Sequence, residues 1–290
     1  MQDNSSTRID AIQRLADEKP FLFSIIVFLV MGILTEIPLE RFFFPLMGYP
    51  ICKFLEGIIE QGVTSLILVG LIKKLGLVEM AGFAPVRQWK ALWLTWPLVV
   101  IALLNSSSLF DGSLHLDFSR PGEIVLYLGL FLSVGLFEEI LGRGLVLSVM
   151  LRKWGATRRG MYLAVLTSSA MFGLFHVFNF ALGRLPLLAC GTQIVYSFFF
   201  GVVFAACFLR NQSIWPVIVL HAAMDFGSDL LPEITIEGGN QITATNSSWT
   251  EAMISILITS ALFLYGMFIL RKVNTSEKLD KKQTGELHFP

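Results

Sequence analysis

The sequence predicts an all-α fold, a polytopic membrane helix bundle of about eight transmembrane helices with both termini in the cytoplasm. The chain of 290 residues is 54% hydrophobic and 15% charged, with a mean hydropathy of +0.67, whereas a soluble domain carries about 25% charged residues. Its apolar residues occur in runs of about 20, the length that a helix needs to cross a bilayer. Lys and Arg occur mainly in alternate loops, as in multi-pass membrane proteins.

The apolar runs divide the chain into three parts: a cytoplasmic N-terminal segment (1–20), a single membrane domain (21–270) and a basic cytoplasmic tail (271–290). The third run is the least regular, because Pro97 interrupts it and polar residues follow closely. The predicted spans are 21–37, 54–72, 92–104, 124–150, 161–181, 187–209, 214–230 and 253–270.

Basic residues distinguish the two sides of the predicted bundle. They lie before span one, after spans two, four and six, and in the tail, for example Lys73 and Lys74 after span two. Because short cytoplasmic loops are enriched in Lys and Arg, this alternation requires an even number of spans. We expect a multi-pass protein of a prokaryotic plasma membrane. The net charge of zero, without a basic face, argues against a nucleic-acid partner.

A polar cluster interrupts the fourth apolar run, where Glu138 and Glu139 are followed by Arg143. Each ionisable side chain at bilayer depth costs roughly 2.5 to 3.5 kcal/mol, so the cluster indicates a site. In an α-helix Glu139 and Arg143 lie about 40° apart around the axis, which suits a structural ion pair. Glu138 lies about 140° from Arg143 and faces another direction.

Two other runs carry polar residues at helical spacing. His176 follows Phe172 by four residues in span five, and His221 precedes Asp225 by four in span seven. Residues four apart share a helix face. Counting about 1.5 Å per residue from the span ends places both histidines and Glu138 in the central to cytoplasmic part of the membrane. A lone intramembrane histidine can be a simple interhelical hydrogen bonder, but together these residues predict one polar cavity.

The ordered motifs resemble those of the CAAX prenyl endopeptidases, also called the CPBP family of intramembrane proteases. The resemblance covers about residues 124–230. It rests on E-E-x-x-x-R, F-x-x-x-H and H-x-x-x-N/D, each on a separate predicted span, which read here Glu138-Glu139 to Arg143, Phe172 to His176, and His221 to Asp225.

The resemblance implies a membrane-embedded endopeptidase, a metal-independent glutamate protease without a cofactor. Glu138 would activate a water as general base with His176 assisting, and His221 with Asp225 would stabilise the oxyanion. Many relatives have asparagine at the position of Asp225, whose amide donates a hydrogen bond, and an ionised aspartate would repel an oxyanion. We therefore expect Asp225 to be protonated or turned onto His221, where it fixes the tautomer.

Other functions fit parts of the pattern. Glu138, His176 and His221 form a two-histidine, one-carboxylate set that zinc could use, although the chain has no H-E-x-x-H. A non-catalytic bacteriocin-immunity or scaffold protein would keep the polar cluster for folding or partner capture, and a transporter would use its acids as a proton relay. For a peptidase we expect a membrane-associated peptide or protein substrate, either prenylated, as the family name implies, or a leader peptide.

Overall fold

The computed structural model of the chain describes residues 3–86, 88–230, 232–236, 240–241 and 248–273. Most of these residues are helical, as the sequence predicts. The helices are α1 (Asp3–Glu18), α2 (Pro20–Leu34), α3 (Glu40–Met47), α4 (Ile51–Lys74), α5 (Trp89–Leu92), α6 (Trp96–Asn105), α7 (Ser107–Phe110), α8 (Pro121–Glu139), α9 (Ser148–Trp154), α10 (Arg158–Phe175), α11 (Val177–Ala181), α12 (Leu187–Asn211), α13 (Trp215–Ser228) and α14 (Trp249–Leu270).

Five helical segments in the described ranges are long and apolar enough to cross a membrane. They coincide with predicted spans two, four, five, six and eight, and they confirm an all-α, multi-pass membrane protein. Two of them are composite, because α8 continues into α9 and α10 into α11. The five are Ile51–Lys74, Pro121–Trp154, Arg158–Ala181, Leu187–Asn211 and Trp249–Leu270.

The three other predicted spans are short. α2 has 15 residues and α13 has 14, which make about 22 Å and 21 Å of helix against a hydrocarbon core of about 30 Å. The third is Trp89–Asn105, where a 3₁₀ turn joins α5 to α6 just before Pro97. The count of eight spans and the side of the termini remain predictions.

Two spans depart from the straight helices expected from the sequence, and both departures lie at the polar residues. After Glu139, α8 continues as a π-helical segment (Ile140–Leu147) before α9 begins. α10 ends at Phe175 and α11 begins at Val177, so His176 lies in the break. Single π turns inside α-helices are rare and occur frequently at functional sites.

A small non-helical region follows α13. β1 (Asp229–Leu230) pairs antiparallel with β2 (Asn240–Gln241), and an isolated bridge joins Leu116 to Thr235. The sequence predicts a loop over 232–250, of which 237–239 and 242–247 lie outside the described residues. Arg87 and 274–290, which is most of the predicted basic tail, also lie outside them.

Close packing between helices brings the polar residues together. α8 packs on α13, and α10 packs on α12. A Cβ added at Gly135 of α8 would lie 2.9 Å from the Ile218 carbonyl oxygen of α13, and one added at Gly173 of α10 would lie 2.6 Å from the Ile194 carbonyl oxygen of α12. Small residues allow helix backbones to approach in this way. The two glycines therefore set the spacing between the helices that carry the polar residues.

Candidate active site

Glu139 and Arg143 form an ion pair inside the bundle. Arg143 Nη1 lies 2.7 Å from Glu139 Oε1, and the two side chains are 3% and 0% exposed. The second guanidinium nitrogen, Nη2, donates to the Gly201 carbonyl oxygen of α12 at 3.4 Å. The guanidinium lies between two rings, 4.6 Å from the centroid of Phe172 and 5.2 Å from that of Phe204. The charge is thus enclosed by aromatic faces, which attract cations.

His221 is surrounded by three carboxylates. Its Nδ1 lies 2.7 Å from Glu139 Oε1. Its Nε2 lies 3.4 Å from Glu138 Oε2 and 3.5 Å from Asp225 Oδ2. Because an ionised carboxylate only accepts hydrogen bonds, Nδ1 carries a proton and donates it to Glu139.

Both acidic residues make the contacts expected from the sequence, and Glu139 makes a further one. Glu139 was expected to pair with Arg143, and its Oε1 in fact lies 2.7 Å from both Arg143 and His221. Asp225 was expected to be protonated or turned onto His221, where it fixes the tautomer; its Oδ2 does lie 3.5 Å from His221 Nε2, and Glu139 faces the other ring nitrogen, Nδ1. The contact between Glu139 and His221 joins residues 82 positions apart on different helices, so local spacing could not indicate it.

His176 lies in the break between α10 and α11. Its Nδ1 is 3.1 Å from the Phe172 carbonyl oxygen. A carbonyl only accepts, so Nδ1 is the protonated nitrogen and Nε2 of the neutral ring keeps its lone pair. The Phe172 ring stands edge-on to both imidazoles, with centroid distances of 5.4 Å to His176 and 6.2 Å to His221. The two histidines therefore lie around one aromatic ring.

The site is closed around Glu139 and more open toward Glu138 and Asp225. The Glu139 side chain is 0% exposed, whereas that of Glu138 is 17% exposed and that of Asp225 is 34% exposed. A molecule that enters the site therefore meets Glu138 and Asp225 before it can meet Glu139. A partly exposed carboxylate next to an imidazole, such as that of Glu138, can accept a proton from a bound water.

Phe204 belongs to the site although sequence reasoning missed it. Its ring stacks on His221 with centroids 5.2 Å apart and an interplanar angle of 15°. The residue lies in the apolar run of α12, in a chain with 25 phenylalanines, so nothing in the sequence distinguishes it. Its role follows from the packing of α12 beside α13.

The sequence also allows these side chains to bind a metal ion. In the part of the chain that the structure describes, no group of three or more His, Cys, Asp or Glu residues is arranged to hold a metal ion. His221 has carboxylates at both ring nitrogens. Metal independence remains a prediction to be tested in solution.

Comparison with known proteins identifies the segment that contains the site. Searches of curated proteins and of solved structures found no match. Residues 120–227 match the family described as Rce1-like, type II CAAX prenyl endopeptidase Rce1-like. The match includes every predicted site residue and nearly coincides with the 124–230 region expected from the motifs. This segment of the chain is thus similar to the Rce1-like type II CAAX prenyl endopeptidase family.

Proposed function

We propose that the chain hydrolyses a peptide bond of a membrane-associated or lipid-modified peptide or protein, with a water activated by Glu138 and His176. The observation that carries this proposal is the pairing of a partly exposed carboxylate, Glu138, with His221 at 3.4 Å. His176 supports it, because its hydrogen bond to Phe172 leaves an unprotonated Nε2.

The proposed reaction uses each group in one role. Glu138 takes a proton from the water while the water oxygen bonds to the scissile carbonyl carbon, and His176 Nε2 accepts a hydrogen bond that orients the water. The carbonyl oxygen becomes an oxyanion. When the C–N bond breaks, Glu138 returns the proton to the departing amine.

His221 and Asp225 act on the oxyanion side. The Nδ1–H of His221 donates a hydrogen bond to Glu139. A second proton, on Nε2, allows His221 to donate a hydrogen bond to the developing negative charge. Asp225 lies 3.5 Å from the same nitrogen and helps to keep that proton in place. In this reaction Glu139 and Arg143 hold His221 without touching the substrate.

The setting of the reaction is also part of the proposal. We infer eight spans and cytoplasmic termini in a prokaryotic plasma membrane, which the alternation of basic loops supports. The substrate is a prenylated protein or a leader peptide, and no cofactor takes part. Topology reporters fused to each terminus test the orientation, and a signal from the outside of the cell for either terminus contradicts it.

The mechanism is tested with the purified protein in detergent and a library of fluorogenic peptides. Glu138→Gln should lower cleavage by at least about 10²-fold. Glu123→Gln is the matched control, because Glu123 lies in the first turn of the same helix, beside Arg120. Equal cleavage by the wild type and Glu138→Gln contradicts the mechanism, and a wild type that cleaves no peptide favours the scaffold alternative. Loss of activity with a chelator, and its return with zinc, favours the zinc-dependent version.

A further inference from the structure

The break at His176 changes the hydrogen bonds of the backbone. In an α-helix the His176 N–H would donate to the Phe172 carbonyl oxygen, four residues back. Here it donates to the Gly173 carbonyl oxygen at 3.1 Å, three residues back. The Phe172 carbonyl oxygen instead lies 3.1 Å from His176 Nδ1. The break therefore gives the imidazole an acceptor that a straight helix would offer to its own backbone.

That acceptor decides which ring nitrogen of His176 carries the proton. In a neutral imidazole, the hydrogen bond made by one nitrogen fixes the state of the other. Because Nδ1–H donates to the Phe172 carbonyl oxygen, the lone pair lies on Nε2. This is the atom that the proposed function uses to orient the water. The tautomer of His176 thus depends on the break between α10 and α11.

Hydrogen bonds to α12 hold the segment that follows the break. Asn179 Nδ2 donates to Gln193 Oε1 at 2.8 Å, and the Cys190 thiol donates to the His176 carbonyl oxygen at 3.5 Å. A thiol is a weak donor, so the amide bond is the stronger of the two. α11 has five residues, and a helix of this length depends on contacts with its neighbours for its position.

Asn179 is also bonded through its backbone on both sides. Its N–H donates to the His176 carbonyl oxygen at 3.0 Å. Its carbonyl oxygen accepts from the N–H groups of Arg184 and Leu185, at 2.8 Å and 3.1 Å. The residue that closes the turn at His176 and receives the loop before α12 is therefore the same residue whose side chain is bonded to Gln193.

We propose that Asn179 is a positioning residue, whose side-chain hydrogen bond to Gln193 maintains the break and thereby the His176 tautomer with an unprotonated Nε2. The proposal rests on the proposed peptidase function, which assigns that nitrogen to the attacking water. Without the bond to Gln193, α11 can continue the helix of α10, and the His176 N–H can return to the Phe172 carbonyl oxygen. The imidazole then loses its acceptor, and its proton is no longer confined to Nδ1.

The test measures the tautomer of His176 and the rate of cleavage in the purified protein. Asn179→Leu keeps the approximate size of the side chain and removes the hydrogen bond. NMR spectra that correlate ring protons with ring nitrogens, assigned with His176→Gln, should show the proton moving in part from Nδ1 to Nε2. With the fluorogenic peptide that the wild type cleaves fastest, kcat should fall roughly 10- to 10²-fold. The KM should keep its wild-type value, because His176 orients the water and does not bind the peptide.

Two further variants support the test. Gln193→Met removes the acceptor and leaves Asn179 in place. It should reproduce both changes, so the test can be made even if Asn179→Leu does not fold. Thr192→Val is the matched control, because Thr192 is the neighbour of Gln193 on α12 and its hydroxyl donates to the Leu188 carbonyl oxygen of the same helix at 2.8 Å. This control should keep the wild-type tautomer and kcat.

A wild-type tautomer of His176 in the folded variants overturns the proposal, whatever their rates, and so does a wild-type kcat. His176→Ala, measured in the same assay, distinguishes this proposal from the proposed function. If His176→Ala is inactive while Asn179→Leu and Gln193→Met cleave as fast as the wild type, the role of Asn179 alone is rejected. If His176→Ala also cleaves as fast as the wild type, the role of His176 in the proposed function is rejected with it.

Discussion

Replacing Gly135 by alanine tests whether the spacing of α8 and α13 controls the site. The added Cβ would lie 2.9 Å from the Ile218 carbonyl oxygen and 3.1 Å from the Ala222 nitrogen, which are backbone atoms that cannot rotate away. Ordinary contact begins at 3.4 Å, so the two helices must separate by about 0.5 Å. α8 carries Glu138 and α13 carries His221, so the same displacement lengthens their 3.4 Å contact.

Gly135→Ala should lower both the stability of the protein and its activity. Overpacking costs about 1–3 kcal/mol, and alanine recovers about 1 kcal/mol because it is the better helix former, so the free energy of unfolding should fall by about 0–2 kcal/mol. A misplacement of 1 Å can cost about 10²-fold in rate. For the smaller displacement at Gly135 we expect about a 10-fold loss of cleavage.

The assay combines peptide cleavage with thermal unfolding of the purified protein in detergent. Gly70→Ala is the matched control, because a Cβ at Gly70 of α4 meets nothing within 4 Å, and it should leave cleavage unchanged. If Gly135→Ala cleaves at the wild-type rate, the inter-helix spacing does not control the site and the reasoning is wrong.

Three stability predictions use equilibrium unfolding in mixed micelles. Glu139→Ala leaves the buried guanidinium of Arg143 unpaired and should lower the free energy of unfolding by about 3–5 kcal/mol. The double variant Glu139→Leu with Arg143→Met should recover most of this loss. A double variant as unstable as the single one contradicts the reasoning. Thr157→Ala should lower the free energy of unfolding by about 0.5–2 kcal/mol, because the Thr157 hydroxyl accepts a backbone hydrogen bond of 3.0 Å at the start of α10. Thr157→Ser should keep the wild-type stability. An equal loss of stability in both variants would refute a capping role. Arg184→Ala should lower the free energy of unfolding by at most about 1 kcal/mol, since the Arg184 side chain in its pair with Glu36 is 53% exposed. A larger loss of stability would show that solvent does not screen the pair.

Much of this architecture could be predicted because it depends on local spacing. Apolar runs located five helices that are long enough to span a membrane. The four-residue separation of Glu139 and Arg143 anticipated a contact that the structure places at 2.7 Å. Both results follow from the geometry of a single helix, which residues close in sequence determine.

The features that could not be predicted depend on packing between helices. The π-helical segment (Ile140–Leu147) and the break at His176 do not alter the apolar periodicity of their spans, so the sequence suggests straight helices. The second contact of Glu139, with His221, requires α8 and α13 to pack side by side. Phe204 lies in an apolar run and gains its significance from the orientation of α12, which stacks its ring on His221.

The pairing of Glu139 with Arg143 inside one span also bears on how the protein enters the membrane. Both residues leave the ribosome together, well before α13 is synthesised, so the carboxylate and the guanidinium can neutralise each other while this span is inserted. The ion-pair contact of Glu138 is made across helices, with His221 at 3.4 Å. An uncompensated charge at bilayer depth opposes insertion. The ion pair therefore lowers the cost of inserting this span into the bilayer during translation. Glu138 meets His221 only when the later helices dock.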